Sequence, residues 1–484
     1  MASVMPARAE RRLTGLLALT LALAGCSLAP PPQLPEVPMA ASYREEAPWT
    51  PAQPADQLSR DGWWQLYGDA ELDALQQRLL ANSPDLAAAL ARYRQAEAVT
   101  RQSESAQLPR LSGSATVQRL QQSQMRPLRA PPAPNAADQY NSNTLGVSAD
   151  YEVDLWGRIS NQVTSSQSTQ QAVANDLASA RLSLAAQLAD GYLALRGLDR
   201  ESAFLQQSVE SYVKALELTQ TRHQGGIASG LDVARAQTLL DNARSQLAQS
   251  RAQRALVEHA IAALVGESAS SFSIAPRLTE VRVPPVPVEL PSTLLQRRPD
   301  IAAAQRRVAA ANANVGVVRA GYYPAIMLGA SAGYQSSDAS DWIKAPNLFW
   351  SVGPSLVVNL FDAGKRRAEE AQSRALLDEA GAKYRGVVLT AFQQVEDNLA
   401  LLNHYQSARE AEQSAVAAAQ RSVQLAQSRY REGVANYLEV VTAQVAALQS
   451  ERNALNLAVR QQRASVQLIR ALGGGWSESE APSP

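Results

Sequence analysis

The feature that most restricts the fold of this chain is its repetition of itself. Arg222, Gly226, Ala228, Leu231, Val233, Ala236 and Gln237 recur without a gap as Arg429, Gly433, Ala435, Leu438, Val440, Ala443 and Gln444. Each copy reads as a helix end, a Gly-centred turn and a helix start between long Ala/Gln/Ser-rich helices. A second stretch repeats as well, at a spacing of 215: Pro84, Asp85 and Ala87 to Ala89 match Pro299, Asp300 and Ala302 to Ala304, and the match runs on to Pro109 and Pro324. One architecture is therefore built twice in tandem, with units far longer than solenoid repeats.

Composition adds to this. The 484 residues leave room for two or three globular domains. Aromatic residues make up only 5%, however, and helices of Ala, Gln, Ser and Arg bury narrow seams rather than wide apolar faces. The 45 basic and 45 acidic residues cancel, and no basic tract points to nucleic acid. A single cysteine excludes an internal disulfide framework.

The start of the chain reads as an export signal. Arg8, Arg11 and Arg12 precede an apolar run from Leu13 to Ala24, about 12 residues where a spanning helix needs roughly 20. Leu23-Ala24-Gly25-Cys26 resembles a bacterial lipobox, which implies a covalent lipid on Cys26; the other reading is a small-residue cleavage site beside an incidental cysteine. Ser27, rather than Asp, follows the cysteine, and by the same resemblance this implies sorting to the outer membrane. Residues 1–25 are thus expected to be a signal peptide. Residues 26–68, rich in Pro between Pro30 and Pro54, are expected to be an extended tether that lets the anchor sit away from the first helix.

Four segments alternate polar and apolar residues. In 143–154, Leu145, Val147, Ala149, Tyr151 and Val153 share one face, and Gly146, Ser148, Asp150, Glu152 and Asp154 the other. Segments 111–119, 325–335 and 348–360 follow the same pattern, with a bend or bulge expected at Pro354. Period-two alternation over about 10 residues fits a membrane strand with a wet inner face, although each segment alone also fits a half-buried soluble strand. Loops 120–142 and 336–347 make each pair an antiparallel hairpin.

Very long helices are expected at 156–222 and 363–429, each 67 residues or about 100 Å. Shorter ones are expected at 84–107, 231–265, 299–322 and 437–471. Each repeat can then form one continuous and one broken rod, with 267–291 packed across the break as a mid-height linker. The resulting division is repeat one at 69–266 with a tip turn at 223–231, repeat two at 292–474 with a tip turn at 430–438, and a disordered tail at 475–484.

Four strands leave two open edges. In a bilayer each unpaired backbone group costs several kcal/mol, so spanning strands must close into a barrel, and about 8 is the smallest usual number. Closure needs other copies; three would supply about 12 strands above 12 helical rods, though edges and lengths alone do not fix the number of copies.

The chain closely resembles the TolC-like outer-membrane efflux channels, in their lipidated NodT-type branch. The resemblance rests on Gly62-Trp63-Trp64, Tyr151 to Arg158, Leu294 to Ile301, Tyr322-Tyr323-Pro324, Trp350 to Pro354 and Asn359 to Gly364, and it covers essentially the whole mature chain. It implies a mainly α fold with a small transmembrane β part. It further implies a homotrimer whose 12-strand barrel continues into a periplasmic α-barrel. Such an object is a passive exit duct in the outer membrane that docks a periplasmic adaptor and an inner-membrane pump and exports drugs and other small molecules, with no cofactor beyond the lipid. In such channels the tips contact the adaptor and close the pore. Here they comprise Gly225, Gly226, Ile227, Ala228, Ser229, Gly230 and Leu231, and Gly433, Val434, Ala435, Asn436, Tyr437 and Leu438. A plain helix-connecting turn is the other reading of each.

Asp232 and Glu439 occupy equivalent places just past the tips. The resemblance implies a periplasmic gate at these acids, with Glu439 as a ring of three carboxylates; for Asp232 the preferred reading is a helix-start acid favoured by the dipole. Thr442 stands where the family often has a second acid, so the ring is expected to carry less charge. Arg222 and Arg429 either pair with these acids or bind helix carbonyls. An enzyme is not expected: His223, His259 and His404 lack metal spacing, and Gly364-Lys365-Arg366 is no phosphate loop. The competing reading is a lipid-anchored periplasmic coiled-coil scaffold or adaptor without membrane strands.

Overall fold

The computed structural model describes residues 27–37, 43–45, 62–123, 139–278, 281, 283–284 and 298–474. The expected signal peptide, Cys26, the expected tail and parts of the expected tether, first hairpin loop and linker lie outside them. Among the described residues the order is α1 (Ala70–Asn82), α2 (Pro84–Glu104), β1 (Arg110–Gln121), β2 (Gln139–Val153), α3 (Arg158–Gln224), α4 (Gly230–Leu264), α5 (Pro299–Ala320), β3 (Ala325–Ser336), β4 (Leu348–Val357), α6 (Lys365–Arg431) and α7 (Tyr437–Ala471). None of the helices among the described residues is long and apolar enough to cross a membrane.

The chain forms two compact units. The first comprises 1–35, 94–172 and 305–383; the second comprises 36–93, 173–304 and 384–484.

The first unit holds one antiparallel sheet in the order β1-β2-β3-β4. Its registers run unbroken, from Arg110 opposite Asp150 through Val153 opposite Ile326 to Ala325 opposite Val357. Cross-strand partners share a face. One face therefore carries Leu111 and Val117, then Leu145 and Val147, then Leu328 and Ala330, then Trp350, Val352 and Leu356. Most of these large side chains are exposed. The opposite face carries Ser112, Ser114, Thr116, Ser148, Asp150, Ser331, Ser351 and Ser355. Pro354 makes no bulge in the ladder; it sits opposite Leu328, and within the chain β4 is paired on one side alone, which tolerates a residue without an N–H.

Both long helices keep their 67 residues but begin two later than the sequence suggests. The reason is capping. The Asp154 carboxylate accepts from the Ile159 and Ser160 amides at 3.0 and 2.7 Å, and Asp362 accepts from the Gly364 and Arg366 amides at 3.0 and 3.3 Å. The intervening Trp156 stacks on Tyr323, centroids 4.7 Å apart, and donates to the Pro324 carbonyl at 2.9 Å.

The start of the expected tether lies against helices. Ser27 donates to Asn161 at 2.9 Å, Asn312 to the Pro30 carbonyl at 2.9 Å and Arg319 to the Leu28 carbonyl at 3.2 Å. Gly316 permits this approach, because a Cβ there would fall 2.9 Å from the Ala29 nitrogen.

The second unit contains a helix that the sequence reading did not anticipate. In α1, Asp69 caps by accepting from the Glu71 and Leu72 amides, and Leu72, Leu75 and Leu79 are buried beside Leu188, Tyr192, Leu195, Ile261 and Phe272. A 3-10 turn, Trp63–Tyr67, packs into the same core, inside the stretch expected to be extended. Segment 272–277 is bound there by a buried ion network. Arg196, 2% exposed, donates to Asp199 and Glu71 at 2.6 Å each and to the Ala275 carbonyl at 2.9 Å. Arg254 donates to Asp199 and to the Ile274 carbonyl, both at 2.6 Å. Removing one partner from such a buried set costs about 3–5 kcal/mol.

Candidate functional site: the two helix-hairpin tips

The two turns, at the ends of α3 and α6, lie in the second unit and are built alike. In the first, the Gly226 amide donates to His223 and the Ile227 amide to Arg222, at 2.9 and 2.8 Å. In the second, Gly433 donates to Tyr430 and Val434 to Arg429, at 3.1 and 3.0 Å. This is the six-to-one closure that ends a helix on a left-handed residue, with φ of 72° at Gly226 and 79° at Gly433. Ser229 and Asn436 then cap α4 and α7. The turns present Ile227 and Val434, 73% and 64% exposed, with Leu231 and Leu438 also exposed.

The acids diverge. Asp232 closes a capping box: its amide donates to the Ser229 hydroxyl at 3.2 Å, and its carboxylate accepts from the Ser229 amide at 3.2 Å. Arg235 lies 3.7 Å away. Glu439 makes no such box: its amide donates to the Asn436 side-chain oxygen at 3.2 Å, but its carboxylate turns to Arg429 rather than back to the Asn436 amide. Its side chain, 43% exposed, pairs with Arg429 at 3.3 Å.

The two arginines therefore take different roles. Arg429 binds the acid, whereas Arg222 donates to the Tyr430 carbonyl at 2.8 Å and lies 4.5 Å over the Tyr430 ring. Thr442 turns its hydroxyl back to the Leu438 carbonyl at 2.8 Å. His223 is engaged locally, its Nδ1 2.8 Å from the Ala228 carbonyl oxygen.

One residue expected to contact the adaptor is instead an anchor, because its large apolar ring is turned into the helices. Tyr437 stands where the first tip has Gly230, and it is almost fully buried against Tyr430 (5.2 Å), Tyr212, Leu216, Leu239 and Leu240. Burial pushes the Tyr212 phenol up to about 12 and raises that of Tyr437. The sequence signal for the Tyr430–Tyr437 contact is two tyrosines seven residues apart across the turn.

Comparison with known proteins agrees with this architecture. The family model described as outer membrane efflux protein matches residues 75–267 and 290–474, one stretch in each half of the chain. The chain is 34% identical over 417 residues to the pyoverdine export outer membrane protein OpmQ of Pseudomonas aeruginosa, covering 86% of this chain and 87% of that one. It is 31% identical over 472 residues to the probable efflux pump outer membrane protein TtgC of Pseudomonas putida, covering 97% and 96%. Among solved structures, the outer-membrane channel OprN superposes with a TM-score of 0.86 at 28% identity, over 93% of this chain and all of that one. The Campylobacter jejuni CmeC channel, 23% identical, shares the fold with a TM-score of 0.87, over 94% and 96%. The exposed apolar face of a four-stranded sheet, the duplicated long helices and these relatives together make the chain a member of the outer membrane efflux protein family, an outer-membrane channel component of an efflux system.

Proposed function

We propose that three copies of this chain close one 12-strand barrel and form a passive duct, the exit stage of a tripartite assembly with a periplasmic adaptor and an inner-membrane pump. The observation that carries this reading is the sheet. It is apolar and exposed on one face, polar on the other, and open at β1 and β4. A soluble scaffold has no use for Leu111, Val117, Trp350 and Val352 turned outward, and four strands cannot seal themselves in lipid. The cargo is small molecules, drugs and toxic compounds among them, and the pump rather than the wide polar duct selects it.

Within that reading, the exposed Ile227, Leu231, Val434 and Leu438 contact the adaptor, and Gly226 and Gly433 keep the turns narrow enough for its approach. Glu439 forms the inner ring of three carboxylates. Cys26 carries a lipid; Ser27, immediately after it, is fixed to Asn161, three residues into the helix that follows β2, which suits an anchor entering the leaflet beside the strands.

Purified lipid-modified protein should run as a heat-modifiable trimer and pass ions through a planar lipid film. A water-soluble monomer without conductance is the result that would sink the reading in favour of a periplasmic scaffold.

A further inference from the structure

We infer that the two open sheet edges join between copies in one register, in which the positions of each β4 residue and its β1 partner in the next copy add to 471. This inference rests on the three-copy reading and adds the residue pairing to it.

The rule follows from the internal repeat. Strands β1 (Arg110–Gln121) and β3 (Ala325–Ser336) have 12 residues each and start and end 215 positions apart. Asp150 pairs with Arg110 and Val357 pairs with Ala325, so β2 maps onto β4 at a spacing of 207. The same spacing carries α3 (Arg158–Gln224) onto α6 (Lys365–Arg431). It also carries Gly157 onto Gly364, both left-handed, with φ of 68° and 88°.

Inside the chain, the ladder between β2 and β3 joins repeat one to repeat two. Its counterpart can only lie between β4 and the β1 of another copy. Applying the two spacings to the observed ladder gives the pairs. Ala149 opposite Ala330 becomes Leu356 opposite Ala115. Val147 opposite Ala332 becomes Pro354 opposite Val117. Asp150 opposite Gly329 becomes Val357 opposite Ser114. Val153 opposite Ile326 becomes Leu360 opposite Leu111.

Side-chain chemistry played no part in deriving these pairs, yet it agrees with them. Leu356 and Ala115, Pro354 and Val117, and Leu360 and Leu111 all belong to the apolar outward set, while Ser355 meets Thr116 on the polar inner face. A slip of one residue would turn every side chain to the wrong face. The register also gives Leu360 and Leu111, 88% and 73% exposed in the single chain, to each other. In the single chain β4 stops at Val357 although the alternation runs on to Leu360. Its counterpart β2 continues to Val153, and a neighbouring β1 would extend β4 to the equivalent Leu360.

Cysteine pairs in the full-length protein, whose natural cysteine is Cys26 alone, test the register in outer-membrane fractions. One pair is Leu356→Cys with Ala115→Cys and the other is Val357→Cys with Ser114→Cys. Hydrogen-bonded and non-hydrogen-bonded positions alternate along an antiparallel ladder, so one of the two pairs is of the closer kind that suits a disulfide. The controls shift the partner by two residues: Leu356→Cys with Gly113→Cys or with Val117→Cys. Each variant is first checked for heat-modifiable trimers. The expected result is a reducible ladder of linked dimers and trimers, at least about five-fold stronger for one in-register pair than for any shifted control or single-cysteine variant. Trimers that link equally or better through a shifted pair, or through none, overturn the register and leave the three-copy reading standing. Absence of trimers in the unmodified protein overturns the three-copy reading itself.

Discussion

The two tips are the same turn used in two ways. Each ends its long helix on a left-handed glycine and restarts with a polar cap. The first then closes on itself: Ser229 and Asp232 satisfy one another, and Gly230 adds no side chain. The second is tied to the helices behind it through Tyr437, leaves Glu439 outside any capping box and holds it through Arg429. Three positions separate a self-contained turn from one tied to the helices behind it: Ser229 against Asn436, Gly230 against Tyr437, and Asp232 against Glu439. Duplication supplied the scaffold, and the two copies differ in how the side chains just past each turn are held.

Making the second tip resemble the first should be the most damaging change. Tyr437→Gly deletes a buried aromatic side chain, which costs about 3–5 kcal/mol. Urea unfolding should show the loss, and the channel should become leaky. The mirror substitution, Gly230→Ala, meets only His223 at 3.8 Å and should stay within about 0.5 kcal/mol of the natural protein.

Alkaline titration probes the tyrosine cluster when the natural protein is compared with Tyr212→Phe. The folded Tyr212 phenol lies near 12 against an ordinary value of 10.0, so the fold favours the neutral form. That stability is complete well below pH 10 and is lost as pH rises from 10 through about 12, by no more than about 3 kcal/mol. Unfolding midpoints measured from pH 9 to 12 should fall for the natural protein and fall less for Tyr212→Phe. Equal slopes would mean that the phenol does not feel its burial.

Arg222 supports the second tip from the first hairpin, through one hydrogen bond and a ring contact. Arg222→Met keeps the stem and removes both, for about 1–2 kcal/mol by thermal unfolding. Arg429→Met breaks only a part-exposed ion pair and should cost under about 1 kcal/mol. A reversed order would mean that the roles of the two arginines have been exchanged.

These differences mark how far the sequence could be read. Helix lengths, strand identities and turn positions were legible because period and repeat spacing report directly on backbone geometry. Three strands and the start of α7 at Tyr437 fell within a few residues of where alternation and the repeat put them, whereas β4 ends at Val357 rather than Leu360. Helix α1 was missed although Asp69 and leucines at 72, 75 and 79 carried an N-cap and a three-four spacing; it precedes the duplicated stretch that begins at Pro84, so the repeat gave no sign of it. The arginine roles were illegible because both choices satisfy the same charges, and only the placement of Tyr430 separates them. Pro354 misled for a related reason: a proline disturbs a ladder only where its nitrogen faces a bonded partner, and which side of β4 pairs within the chain is a tertiary fact.

The finest contrast between the tips lies in their acids, and its effect on stability should be the smallest. Glu439→Gln removes a pair between two exposed groups, under about 0.5 kcal/mol. Asp232→Asn weakens a capping box and should cost about 1 kcal/mol by thermal unfolding. Conductance should rank them the other way. If three Glu439 carboxylates line the closed pore, they raise the local cation concentration there, and Glu439→Gln should lower the cation-to-anion permeability ratio about two-fold or more. Asp232, its carboxylate already engaged by the Ser229 amide, should leave that ratio nearly unchanged when converted to Asn. Reversal potentials in a salt gradient across a planar film measure both. An unchanged ratio in Glu439→Gln would take the gate away from this acid and leave it a helix-start residue like its counterpart, and the divergence of the two tips would then be one of packing alone.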